Sequence, residues 1–94
     1  MEKIKHILRT TYNYSLLKSS KNYINFECEK DDITILKNKV AMINETTVNT
    51  IKLYFLGTSK NLYIYKLIVN LNNEFDEDKI VNLLGAETEK TSAG

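Results

Sequence analysis

Residues Val48–Leu71 read VNTIKLYFLGTSKNLYIYKLIVNL: two runs of Ile, Leu, Tyr and Phe around a single glycine, Gly57. β-Branched and aromatic residues favour strands, and GTSKN supplies turn chemistry between the runs, so the stretch reads as a β-hairpin. Side chains alternate along a strand, and a slip of one residue exchanges the two faces completely. With Thr58, Ser59 and Lys60 as the loop, Gly57 faces Asn61, Phe55 faces Tyr63, Leu53 faces Tyr65 and Ile51 faces Leu67. One face is then apolar or aromatic throughout. A loop of Ser59 and Lys60 alone would place Lys66 on that face, and burying an unpaired ammonium is costly. The three-residue loop is therefore expected, although it sets Lys52 against Lys66 on the second face, where like charges repel. That second face joins Lys52, Tyr54, Ile64 and Lys66. Being half polar and half apolar, it calls for a helix over its apolar end or for a partner.

Working outward, NYINFECEK is a clear alternating strand, with Ile24, Phe26 and Cys28 on one face and Tyr23, Asn25, Glu27 and Glu29 on the other. Asp31 and Asp32 read as a turn, ITIL as a returning strand that places Ile35 opposite Cys28, and VAMI as a further short strand. Before them, EKIKHIL carries Ile4, Ile7 and Leu8 at helical spacing. Tyr12, Tyr14 and Leu16 then alternate with Asn13 and Ser15 as in a strand, so Thr11 to Lys18 admits both readings, with the helix favoured to about Leu17 before the polar link KSSKN. At the other end, NNEFDEDKIVNLLGA reads as a helix. Asn73 or Asp76 caps it, acidic residues fill its first turn, Ile80, Leu83 and Leu84 form its stripe, and Gly85 ends it. The expected architecture is a two-layer α+β domain spanning residues 1–86: an N-terminal helix, an antiparallel sheet of about four strands with a central hairpin, and a C-terminal helix. Residues 87–94, small and polar, read as a flexible tail.

The bulk composition limits function more than it reveals it. A chain of 94 residues has room for one core, and 43% hydrophobic with 27% charged residues is the balance of a globular domain. A net charge of +1 provides no general attraction to nucleic acid or membrane, and Arg9 is the sole arginine, which disfavours bidentate reading of phosphates or bases. The single cysteine, Cys28, excludes an intramolecular disulfide, and MEKIKHILRTTYNYS lacks the apolar core of a secretory signal. A cytoplasmic protein is expected.

No catalytic or metal set stands out. His6 is the sole histidine and has no acid or base partner in the pattern. Cys28 lies on an apolar face between carboxylates that would raise its pKa. Glu27, Glu29 and Asp31 recur with strand period but lack the turn glycine of a calcium loop, and read as a solvated edge that discourages sheet aggregation. Glu77–Lys79 resembles a nuclease fragment by chance only, and no glycine-rich phosphate loop exists. No cofactor and no metal are expected. What remains is recognition: a small non-enzymatic intracellular binding protein, an inhibitor or regulator of the kind phages and mobile elements encode, docking on a protein partner. Its expected surface is Lys52, Tyr54, Ile64 and Lys66, with the acidic strand residues Glu27 and Glu29. Homodimerisation through that surface is a further use of it. The alternative is a single-stranded nucleic-acid binder, in which Tyr stacks on bases while Lys neutralises phosphate.

Overall fold

The computed structural model describes residues 1–47, 50–72 and 74–85. The expected tail at 87–94 and the Asn73 cap lie outside the described residues. The element order is α1 (Glu2–Thr10), β1 (Ser15–Ser19), β2 (Tyr23–Cys28), α2 (Ile33–Thr46), β3 (Ile51–Ser59), β4 (Leu62–Val69) and α3 (Glu77–Gly85). The four strands form one antiparallel sheet in the order β1-β2-β4-β3. Because β4 runs antiparallel to both neighbours, β2 and β3 are parallel. With α2 between them in sequence and β4 between them in space, they make a split β-α-β unit.

Two stretches depart from the expected elements. The first helix stops at Thr10, and Asn13 takes a positive φ of 65°, a conformation that asparagine tolerates better than most residues. The backbone N–H groups of Thr11 and Tyr12 both close on the Ile7 carbonyl, and the chain leaves as strand β1 rather than continuing as helix to Leu17. The second stretch, ITILKNKVAMINET, is one helix, not two strands. Ile33, Leu36, Val40 and Ile43 recur at helical spacing and are buried, while Ile35, expected opposite Cys28, points to solvent.

All three helices cover the same sheet face. Ile24, Phe26 and Cys28 of β2, Tyr65, Leu67 and Val69 of β4, and Ile51 of β3 meet Ile4, Ile7, Leu8, Leu36, Ile43, Ile80 and Leu84 in one core. Phe26 is its centre, stacked on Tyr14 at 4.7 Å between ring centroids and on Tyr65 at 6.2 Å. The Tyr14 hydroxyl donates to the Asp32 carbonyl at 3.0 Å, so the link before β1 is tied to the start of α2. Helices α1 and α3 approach closely: a Cβ at Gly85 would stand 3.2 Å from the Ile7 side chain, and the Tyr12 hydroxyl donates to the Leu84 carbonyl. Asp76 caps α3 by accepting from the Lys79 N–H at 3.2 Å, and Glu77 accepts from the Ile4 N–H of α1 at 3.0 Å.

The hairpin has the expected faces in a different register. Ile51 pairs with Val69, Leu53 with Leu67 and Phe55 with Tyr65, two residues along from the alignment drawn above. The loop is Lys60 and Asn61, with Lys60 at φ 57°, and a bulge between Phe55 and Gly57 absorbs the extra residue. From Ile51 to Phe55 the shift of two keeps every side chain on its own face, so Lys52 and Lys66 still point away from the core, whereas past the bulge Gly57 changes face and lies opposite Ile64. The shift also separates the two lysines: Lys52 lies opposite Ile68, and Lys66 opposite Tyr54.

Candidate docking surface

The sheet face turned away from the helices is organised around β4. Ile64 is flanked by Glu27 and Gly57, Lys66 by Asn25 and Tyr54, and Ile68 by Tyr23 and Lys52. Five of the six residues expected to form a surface, Lys52, Tyr54, Ile64, Lys66 and Glu27, therefore share one face. The sixth does not. Glu29 lies past the end of β2, in the turn where its carbonyl accepts from the Asp32 N–H at 3.1 Å. Nor is Glu27 on an acidic edge, because β2 is an interior strand between β1 and β4.

Sequence reading left out the residues that complete the face. Tyr23 and Asn25 come from β2, the neighbour of β4 that a hairpin argument cannot supply, and the Lys66 ammonium sits 4.8 Å from the centre of the Tyr23 ring. A cation over an aromatic ring at a partly exposed site contributes about 0.5–1 kcal/mol. The contact fixes Lys66 in the middle of the face. The Asn25 side-chain oxygen is buried there and meets no hydrogen-bond donor among the described residues. At one end of the face a depression of about 350 Å³ is lined by Asn22, Lys52, Tyr54, Ile68, Asn70 and Leu71. Leu17 and Leu56 add exposed apolar area at the flanks.

The groups considered for chemistry are dispersed. His6 is exposed on α1, beside a depression of about 480 Å³ between α1 and Val81 of α3, and no hydrogen bond among the described residues reaches its ring. Burial pushes the Cys28 thiol up to about 11, so it is protonated at neutral pH. Among the described residues no three His, Cys, Asp or Glu side chains gather as metal ligands, and no helix is long and apolar enough to cross a membrane. No family model, curated protein or solved structure matches the chain.

Proposed function

We propose that the chain is a small non-enzymatic binding protein that docks on a protein partner through the helix-free sheet face. The observation that carries this reading is the assembly of Tyr54, Ile64, Ile68 and Tyr23 around Lys66 on a face that none of the described helices covers. Aromatic and aliphatic residues inside a polar rim are the composition of protein interfaces, and tyrosine offers large area at small entropic cost. An inhibitor or regulator fits this description, as small mobile-element proteins often are. A lone, buried cysteine suits a cytoplasmic setting.

The nucleic-acid reading draws on the same Tyr and Lys residues. Against it, the face offers Lys52 and Lys66 with Glu27 among them, and Lys66 already faces the Tyr23 ring. Strong backbone binding needs many more cationic contacts.

The test is affinity capture from the native cell with wild type beside a Tyr54→Ala, Lys66→Glu double variant and a His6→Ala control on the far side. A protein retained by wild type and His6→Ala but lost by the double variant supports the reading. Equal capture by all three removes it. A low-salt mobility shift with single-stranded DNA or RNA that disappears as salt rises would transfer the face to nucleic acid.

A further inference from the structure

Among the described residues strand β3 is an edge of the sheet, and some of its outward backbone groups are already occupied. The Asn70 N–H donates to the Thr50 carbonyl at 3.0 Å. In an antiparallel ladder hydrogen-bonded pairs alternate with non-bonded ones, so Thr50, Lys52 and Tyr54 bond to β4, while Ile51, Leu53 and Phe55 turn their N–H and C=O groups toward the edge. Asn44 occupies both groups of Ile51, its side-chain oxygen accepting from the N–H at 2.8 Å and its amide donating to the carbonyl at 2.8 Å. Past Phe55, the bulge at Leu56 and Gly57 breaks the ladder. Among the described residues, the outward groups of Leu53 and Phe55 receive no hydrogen bond. They are a short window of strand-pairing groups, symmetric about Tyr54.

We propose that this window pairs with the same window of a second copy, antiparallel, about a two-fold axis between the two Tyr54 residues. Leu53 of one copy then faces Phe55 of the other, twice by symmetry, and each pair exchanges both of its backbone hydrogen bonds. Tyr54 meets Tyr54 in the closely spaced pair between them. Lys52 falls opposite Leu56 rather than opposite itself, so no like charges meet. Other two-fold registers fail on the same observations: one centred on Leu53 needs the groups that Asn44 holds, one centred on Phe55 runs into the bulge, and one centred on Lys52 opposes the two lysines.

The side chains agree with the backbone. Tyr54, Phe55 and Leu56 are consecutive and exposed by 45%, 54% and 49%, so the edge is apolar on both faces at the centre of the window. Of the devices that ordinarily protect an edge strand, β3 carries Lys52 and the bulge at Leu56 and Gly57, both outside the 53–55 window, but it is nine residues long and has no proline. A net charge of +1 opposes self-association only weakly. The product is one sheet continuous across both copies, with their helix-free faces on the same side. Tyr54 belongs to both this edge and the docking face, but the pairing rests on the outward backbone groups of Leu53 and Phe55, whose side chains lie on the helix side, so Phe55→Pro tests it without altering the docking face.

Sedimentation and light scattering over a wide concentration range test it, together with two variants. Wild type is expected to dimerise. Phe55→Pro removes an outward N–H from each copy at a position where an edge strand tolerates proline, and is expected to remain folded by circular dichroism while dimerising roughly tenfold more weakly or not at all. Tyr54→Cys is expected to form a disulfide-linked dimer on mild oxidation, and Lys52→Cys is not, since only the former meets itself across the axis. A wild-type monomer at every concentration overturns the proposal. So does a dimer that survives Phe55→Pro, or one cross-linked through position 52 instead of 54. If the Leu53 and Phe55 amides gain protection from hydrogen exchange only when a foreign protein binds, the edge receives another chain's strand and self-pairing is likewise overturned.

Discussion

Asn44 on α2 and Ile51 on β3 are joined by two hydrogen bonds through one side chain, which accepts from the Ile51 N–H and donates to its carbonyl, each at 2.8 Å. The amide thus stands in for one residue of a missing neighbouring strand, and it pins the end of α2 to the start of the edge strand. Asn44→Ala removes both bonds and is expected to destabilise the fold by about 1–3 kcal/mol. Asn44→Asp retains the acceptor, loses the donor, and should fall between the two. Urea unfolding of the three proteins checks the order.

Gly57 tests the bulge. Its φ of 144° is one that L side chains rarely adopt, yet a Cβ there would meet no atom within 4 Å. The glycine is thus required by backbone conformation and not by space. Gly57→Ala should cost about 1 kcal/mol or more, visible as a lowered thermal midpoint without loss of core packing. An unchanged midpoint would mean that the hairpin adjusts its bulge freely.

These two contacts also mark where sequence stops specifying the fold. Strand period determines which face a side chain takes, so Ile51, Leu53, Tyr65 and Leu67 are assignable to the core from the pattern alone. Period cannot distinguish registers two residues apart. That choice rests on the bulge and on the positive φ of Lys60, neither of which has a marker in the sequence beyond Gly57 itself. Helix α2 was obscured for a different reason: its β-branched ITI and VAMI runs carry strand propensity, but packing of Leu36, Val40 and Ile43 against the sheet outweighs a weak local preference. On the candidate surface, the β4 and β3 residues were readable because one hairpin supplies them. Tyr23 and Asn25 needed the pairing of β2 with β4, a contact between segments some forty residues apart, which no local pattern encodes.

Lys39 is the polar exception in the core, 5% exposed on α2, and its ammonium meets no hydrogen-bond acceptor among the described residues. A buried cation without a partner destabilises, whereas an apolar side chain of similar length fills the space without that penalty. Lys39→Met is therefore expected to raise stability by about 1–3 kcal/mol in urea unfolding. Stability unchanged or lowered would indicate that the lysine serves a partner or an acceptor elsewhere in the chain.

Alkaline pH probes the tyrosines that tie the link after α1 to α3 and to the start of α2. Burial raises Tyr12 to about 12 and Tyr14 further still, from an ordinary value of 10.0, and raises Cys28 from 9.0 to about 11. Each group is neutral when protonated, so the folded chain holds its proton at a pH where the unfolded chain has already released it. Below about pH 9 both states keep all three protons and the full stability is present. As pH rises through 9.0 and 10.0 the unfolded state alone ionises, and stability declines until the folded groups ionise in turn at about 11 and 12. Thermal midpoints measured from neutral to strongly alkaline pH are expected to fall across that window, with tyrosinate absorbance lagging in the native protein. Tyr14→Phe should lessen the fall while losing the hydroxyl bond to Asp32, a change of about 1 kcal/mol at neutral pH. Should wild type and Tyr14→Phe decline in parallel at high pH, Tyr14 is not among the groups that drive alkaline unfolding.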